Sequence, residues 1–348
     1  MIKEYKEKLT EREFREISSS NSMIEQIQIN LTNICNSRCI FCFQGNDHKN
    51  IDDELTLDEI KKLLLEVKPL GVKTIGYMGG EIFMRKDIID ILKLTRKLGY
   101  GCSIITNGQL LTQDIIYKIK DLKLTSVNVS VHSLNSDNYS FIYGNKNVLL
   151  DKVIENIKRM IDLNINVGIA TTVTKYNLNE LPQMLNYLKS LGVNQNNIAF
   201  NILFPCENYN DLIVTPEEFE KFIKLNPSIL NNFSNAPSTS EGRSVLCQIG
   251  KKVATIDYNG DIKLCGLMDL SIGNIRNDKF YNIWSKSTIV KTFSGLEEDF
   301  FNECKSCDHD GKCSMCIARN IINSNNLFKV DKSFCQSVKT INKYKNSL

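Results

Sequence analysis

The sequence predicts an α/β protein: a partial (β/α)6 TIM-like barrel followed by a small C-terminal domain rich in cysteine. Two observations point to the barrel. β-Rich segments alternate with helix-length amphipathic stretches over the first two thirds of the chain, and the strands so marked have one apolar and one polar face. A third observation points to the added domain. Of the 12 cysteines, Cys35, Cys39 and Cys42 lie together, only Cys102 and Cys206 stand apart, and all the others fall in the last third.

Strands are expected near 26–32, 73–78, 101–106, 125–132, 165–174 and 197–204. Between them, residues 148–161 carry the helical period best, with Val153, Ile154, Ile157, Met160 and Ile161 on one stripe. Strand and helix in alternation favour parallel strands joined by right-handed crossovers. Strands buried on both faces read as continuous apolar runs. Here Ile27, Ile29 and Leu31 alternate with Gln26, Gln28, Asn30 and Thr32, and Val127, Val129 and Val131 with Asn128, Ser130 and His132. If helices cover the apolar face, the polar face lines an interior that holds something other than packed side chains. An antiparallel sheet with one solvated face alternates too, but the helix-length connections favour the open barrel. Ligands of such folds sit at the carboxyl ends of the strands. Further on, Thr215-Pro216-Glu217-Glu218 is a helix start with a capping box and Pro in the first turn. The expected division is a charged N-terminal segment 1–25, a barrel 26–230, a linker 231–243 and a cysteine-rich domain 244–348.

Composition narrows the function classes. A net charge of +3 on 348 residues makes no field suited to nucleic acid or an anionic membrane surface. Residues 1–20 alternate charges without a signal-peptide core, and no run of about 18 apolar residues occurs. A cytoplasmic protein with no nucleic-acid and no membrane partner is expected. In that reducing compartment, cysteines favour metal or redox roles over disulfides.

After the first strand comes Cys35-Asn-Ser-Arg-Cys39-Ile-Phe-Cys42. Three thiolates leave a tetrahedral metal, or a four-iron cluster, one ligand short. By itself the loop also admits zinc with a distant fourth ligand. Together with the aromatic Phe41 before its last cysteine, it resembles the signature of the radical S-adenosylmethionine (SAM) superfamily. The resemblance implies a [4Fe-4S] cluster on Cys35, Cys39 and Cys42, chelated at its fourth iron by the cofactor's methionine moiety. It also implies reductive cleavage to a 5′-deoxyadenosyl radical that takes hydrogen from substrate, with an electron donor such as flavodoxin or ferredoxin. Gly79-Gly80-Glu81, after the second strand, resembles the family's GGE turn, which engages the cofactor's amino group. Thr106-Asn107-Gly108 ends the third strand where the family often has a similar tripeptide, and Ser130 matches the serine that contacts the ribose. Two segments depart from the family pattern: His132-Ser133 stands in place of Asp-Gly, and Phe141-Ile142-Tyr143-Gly144 lacks the usual arginine. His132 either points into the lumen or is a hydrogen-bonded structural histidine.

The last third reads Cys247-x12-Gly260-x4-Cys265, then Cys304-x2-Cys307-x5-Cys313-x2-Cys316, then Cys335. This resembles the seven-cysteine SPASM extension of peptide-maturing radical enzymes, with two residues in place of the usual three between Cys313 and Cys316. The resemblance implies two auxiliary [4Fe-4S] clusters: an outer one on Cys304, Cys307, Cys313 and Cys335, and an inner one on Cys247, Cys265 and Cys316. A zinc ribbon is the alternative for Cys304 to Cys316 taken alone. Cys206 has three open roles: fourth inner ligand, catalytic hydrogen donor, or inert buried thiol. Cys102 is expected in the core.

Auxiliary clusters suit oxidation of a substrate radical. The expected activity is a radical SAM oxidoreductase acting on a precursor peptide or protein, maturing a ribosomally made peptide by cross-linking, epimerisation or side-chain oxidation. The alternatives are a sulfatase-maturing-type oxidase, against which Gly266 stands where those relatives have aspartate, a sugar or cyclitol dehydrogenase, and a non-enzymatic zinc protein. Segment 1–25 is too short for a separate peptide-recognition domain.

Overall fold

A computed structural model describes residues 24–44, 53–147, 149–203, 211–233, 247, 250–296, 301–305, 307, 313 and 315–345. Six parallel strands form the barrel wall: β1 (Gln26–Asn30), β2 (Thr74–Met78), β3 (Gly101–Thr106), β4 (Ser126–Ser130), β5 (Val167–Val173) and β6 (Ile198–Ile202). All six fall within the segments expected from alternation. Three more, β7 (Val253–Ile256), β8 (Asp261–Lys263) and β9 (Ser271–Asn274), extend the same sheet, whose order is β6-β5-β4-β3-β2-β1-β7-β8-β9. Its ends are β6 and β9, so the barrel is open.

Helices cover the apolar face. In order they are α1 (Leu57–Val67), α2 (Ile88–Lys97), α3 (Gln113–Leu122), α4 (Ser136–Ile142), α5 (Leu150–Asp162), α6 (Leu181–Ser190) and α7 (Pro216–Leu225). Thr56 and Thr215 begin α1 and α7 with complete capping boxes, each typically worth about 1 kcal/mol. On α5, Val153, Ile154, Ile157 and Met160 are buried, whereas Ile161 lies at the edge of the stripe and is half-buried. Burying each such side chain contributes about 1.5–3 kcal/mol. Opposite them, Ile27, Ile29, Ile75, Tyr77, Ile104, Val127 and Val129 are fully buried.

The C-terminal third is built onto the barrel. β7 runs parallel to β1, pairing Ala254 with Ile27 and Ile256 with Ile29, so the apolar face continues across the junction. α8 (Phe280–Lys286) buries Phe280 and Trp284, and Arg276 just before it binds Glu59 of α1 at 2.6 Å. α9 (Thr288–Ser294), α10 (Asn302–Lys305) and α11 (Ile317–Ser324) follow, and α12 (Lys332–Lys345) lies along α7, where Lys343 reaches Glu220 at 2.7 Å. Of the expected linker 231–243, the described residues Asn231, Asn232 and Phe233 belong to the barrel: Phe233 is buried against Phe200 and Phe219. The two domains share one sheet. Among the described residues, no helix is long and apolar enough to cross a membrane.

Candidate active site

The lumen opens at the carboxyl ends of the strands into a cavity of about 300 Å³ rimmed by Cys35, Cys39 and Cys42. Their loop is tied down from the far side of the barrel. Arg38 donates its N–H to the Tyr143 carbonyl at 2.8 Å and Ile40 to the Ile142 carbonyl at 3.0 Å. At Gly144, with φ +58°, a Cβ would lie 2.2 Å from the Arg38 carbonyl oxygen, so only glycine admits this approach. The Phe141–Gly144 segment, read from sequence as a departure, is the clamp on the cysteine loop. Below it runs an amide chain. Asn107 donates to Asn36 Oδ1 (2.7 Å), Asn36 to Gln109 Oε1 (3.1 Å) and Gln109 to Ser37 Oγ (3.3 Å).

Burial pushes the Cys35 thiol up to about 11 and the Cys39 thiol higher still, and the neighbouring thiols add to both shifts. Packed together in a poorly hydrated loop, three thiolates demand a cationic partner. Among the described residues, no three His, Cys, Asp or Glu side chains are drawn together tightly enough to hold a metal ion as they stand. The thiols instead rim a volume.

The two glycines after β2 allow the chain leaving β1 to pass close by. A Cβ on Gly79 would meet the Thr32 carbonyl oxygen at 2.4 Å, and one on Gly80 the Ile34 carbonyl oxygen at 2.1 Å. Both glycines line the cavity, as do Thr106, Asn107 and Ser130. Glu81 does not share that surface. It is fully buried, accepting from the Thr106 hydroxyl (2.7 Å) and the Asn107 N–H (2.7 Å), as well as the Phe83 N–H (3.2 Å). Burial raises its pKa, and these three hydrogen bonds oppose the rise. The turn is braced from beneath by Asn156 of α5, which donates to the carbonyls of Gly108 (3.2 Å) and Leu111 (3.1 Å).

Both alternatives raised for His132 hold together. Its ring lines the cavity edge-on to Phe41, with centroids 4.9 Å apart, and its Nδ1 accepts the Thr172 N–H at 3.1 Å. Burial drops its pKa to about 3, so at neutral pH it is an uncharged wall. Ser133 and the Leu134 N–H both bond Glu180, at 2.6 and 3.0 Å, which fixes the loop after β4. The lumen is less polar than the alternation suggests, because Met78 and Ile105 occupy inward positions at the ends of β2 and β3.

A second cavity, of about 480 Å³, is rimmed by Cys304, Cys307, Cys313 and Cys335 together with Met315, Val330 and Phe334. Burial raises Cys313 to about 12 and Cys335 to about 11, and each also feels Cys304 and Cys307. Cys265, raised to about 11, feels Cys316 and Cys247. The structure thus sorts these seven thiols into sets of four and three. Leu267, two residues past Cys265, lines the first cavity beside Ile202 and Leu203. Cys102 is buried in the core, and Cys206 lies outside the described residues.

Residues 29–188 match the radical SAM superfamily, and residues 247–308 match the SPASM iron–sulfur cluster-binding domain. The chain belongs to the radical SAM superfamily. Its radical SAM domain is of the kind that binds S-adenosylmethionine and one [4Fe-4S] cluster, and its SPASM domain of the kind that binds auxiliary iron–sulfur clusters. The residues present fit those groups: three thiols on an open cavity, and two further sets whose burial makes bare thiolates costly.

The chain is 33% identical over 175 residues to a probable GTP 3′,8-cyclase of Saccharolobus islandicus, a match covering 49% of this chain and 55% of that one. It therefore spans about half the length of that relative. An AdoMet-dependent heme synthase of Methanosarcina barkeri is 24% identical over 319 residues, covering 83% of this chain and 90% of that protein. Among solved structures, Streptococcus suis SuiB bound to the precursor peptide SuiA superposes with a TM-score of 0.74 at 18% identity, covering 93% of this chain and 79% of SuiB. The structure of anSMEcpe with bound AdoMet gives 0.73 at 16% identity, covering 93% of each chain. These two share the fold of this radical SAM protein.

Proposed function

We propose that the protein is a radical SAM oxidoreductase that takes a hydrogen atom from a peptide substrate, maturing a ribosomally made peptide by cross-linking, epimerisation or side-chain oxidation. The observation that carries this reading is the shared cavity: the cluster-loop thiols rim it, and Leu267, beside Cys265, completes its wall. A substrate held there lies between the two cluster systems. When bound, the cluster and cofactor supply a 5′-deoxyadenosyl radical as hydrogen-atom acceptor. Cys35, Cys39 and Cys42 hold the cluster. Gly79, Gly80, Thr106, Asn107 and Ser130 shape the cofactor's bed, and Glu81 positions Thr106 and Asn107. Met78, Ile105, Ile202, Leu203 and Leu267 exclude water from the reacting carbon.

The described lining is otherwise Ser, Thr, Asn, neutral His and aromatic side chains, a surface suited to an uncharged side chain rather than to a nucleoside triphosphate. Proteins of the same fold have been crystallised with a precursor peptide and with peptides bound. In the oxidative reading, auxiliary clusters held by Cys304, Cys307, Cys313 and Cys335 and by Cys247, Cys265 and Cys316 would supply a one-electron acceptor for the substrate radical, whose proton would leave to water, so that the net change is a two-electron oxidation. A ferredoxin or flavodoxin supplies the electron for cofactor cleavage and collects the one released. In the epimerising reading, a thiol returns a hydrogen atom and the thiyl radical it becomes is restored by one electron from the ferredoxin or flavodoxin and one proton from water, a role for which Cys206 is the candidate.

The test is coexpression with the short reading frames beside the gene, followed by mass spectrometry of the peptide. Loss of two hydrogens, or a D-residue at unchanged mass, is expected. Peptides left unmodified by enzyme that turns over a sugar or tetrapyrrole instead would overturn the reading.

A further inference from the structure

One buried ion pair lies between the two auxiliary thiol sets. Arg319 of α11 is buried, and its backbone N–H bonds the Cys316 carbonyl at 3.1 Å. Asp331 is buried too, and its carbonyl accepts the Cys335 N–H at 3.0 Å. The two side chains face each other at 3.7 Å. Asp331 Oδ1 also caps α12, accepting from the N–H groups of Ser333 (3.1 Å) and Phe334 (3.2 Å). Arg319 Nη2 donates to the carbonyls of Ile202 (2.7 Å) and Leu203 (3.1 Å), both of which line the substrate cavity, and its guanidinium lies 4.6 Å from the centre of the Phe334 ring.

Burying such a pair strips both ions of water at a cost their mutual attraction seldom exceeds, so as a fold-stabilising device it is a poor one. Its orientation suggests another use. We propose that the Arg319–Asp331 pair polarises the two auxiliary clusters, raising the reduction potential of the inner one and lowering that of the outer one, so that the inner cluster is the first acceptor of the substrate's electron. The proposal rests on the reading that Cys316 and Cys335 serve different clusters.

A reduced cluster carries one more negative charge than an oxidised one. In a weakly polarisable interior a fixed cation beside it stabilises the reduced form, and a fixed anion destabilises it. The two charges are anchored in that sense: Arg319 sits on the first turn after Cys316, bonded to its carbonyl, and Asp331 on the turn whose carbonyl receives the Cys335 N–H. Through Ile202 and Leu203 the same guanidinium ties the inner set to the wall of the substrate cavity.

The experiment is an EPR-monitored redox titration of the full-length, anaerobically reconstituted protein. R319Q should lower the inner midpoint potential by more than the outer one, R319K should stay near wild type, and D331N should raise the outer one by more than the inner one. R319Q with both auxiliary clusters loaded and an unshifted inner potential would overturn the proposal. So would loss of the inner cluster's iron from R319Q but not R319K, which would make Arg319 a structural strut. The underlying reading is checked separately: C265A with C316A should remove about four irons and the inner signal. Full iron retention there would overturn the two-cluster reading, and with it the proposal.

Discussion

The cavity at Cys35, Cys39 and Cys42 and the cavity at Cys304, Cys307, Cys313 and Cys335 are both thiol-rimmed, but they are finished differently. The first has three thiols from one short loop, surrounded by glycine backbone, amides and hydroxyls. The second has four, gathered from residues 304–335 among Met315, Val330 and Phe334. Three thiolates on a four-iron cluster leave a position open for a reacting ligand, whereas four leave none. The number of thiols and the polarity around them thus separate a place for chemistry from a place for an electron.

The largest effect comes from removing one side of that contrast. Ala at Cys35, Cys39 and Cys42 together should abolish reductive cleavage of S-adenosylmethionine and lower the iron content from about twelve to about eight per chain. Undiminished 5′-deoxyadenosine formation, seen by chromatography, would erase the distinction. Removing the other side, Cys304→Ala with Cys307→Ala, should spare 5′-deoxyadenosine formation but eliminate the two-electron oxidised product. Because metal binding and folding are coupled in cysteine-rich modules, cofactor binding by this variant is measured first. Product at the wild-type rate would favour a redox-neutral reaction such as epimerisation.

Two substitutions probe why the first loop stays open. Gly144→Ala forces a side chain into the Arg38 carbonyl from a left-handed backbone, and should cost about 1–3 kcal/mol, read by thermal unfolding, with weakened cluster retention. Asn156→Ala leaves the carbonyls of Gly108 and Leu111 without their donor. It should cost about 1–3 kcal/mol and raise the KM for S-adenosylmethionine more than it lowers kcat.

The smallest effect at neutral pH concerns His132. Its pKa falls from 6.5 in the unfolded chain to about 3 in the folded one, so between those values only the unfolded state binds the proton. Stability from this group is complete above about pH 6.5 and falls as pH drops, by about 2 kcal/mol at pH 5. His132→Asn should flatten that part of the urea-unfolding profile. An equally steep profile would assign the pH dependence to other groups.

Read alone, the sequence determined the six barrel strands, the capping box at Thr215 and the cavity positions of Cys35, Cys39, Cys42, Gly79, Gly80, Thr106, Asn107 and Ser130; the capping box at Thr56 emerged from the structure. The sequence could do so because periodicity, caps and cysteine spacing are local, and each is written within a dozen residues. It also placed Cys102 in the core. Other features have no local mark. Nothing in the run Phe141–Gly144 says that it clamps Arg38, and nothing near Asn156 says that it braces Gly108; each partner comes from another strand–helix unit. Glu81, expected at the cofactor, turns its carboxylate to Thr106 and Asn107, because two donors from the neighbouring strand end reach it. β7 joins the barrel sheet beside β1, more than two hundred residues earlier, and so brings Leu267 to the wall of the cavity and Arg319 to the end of β6. Spacing along the chain determined which thiols this protein has to offer. The pairing of distant strands decided what stands beside them, because packing and electrostatics act through space and leave no period in the sequence.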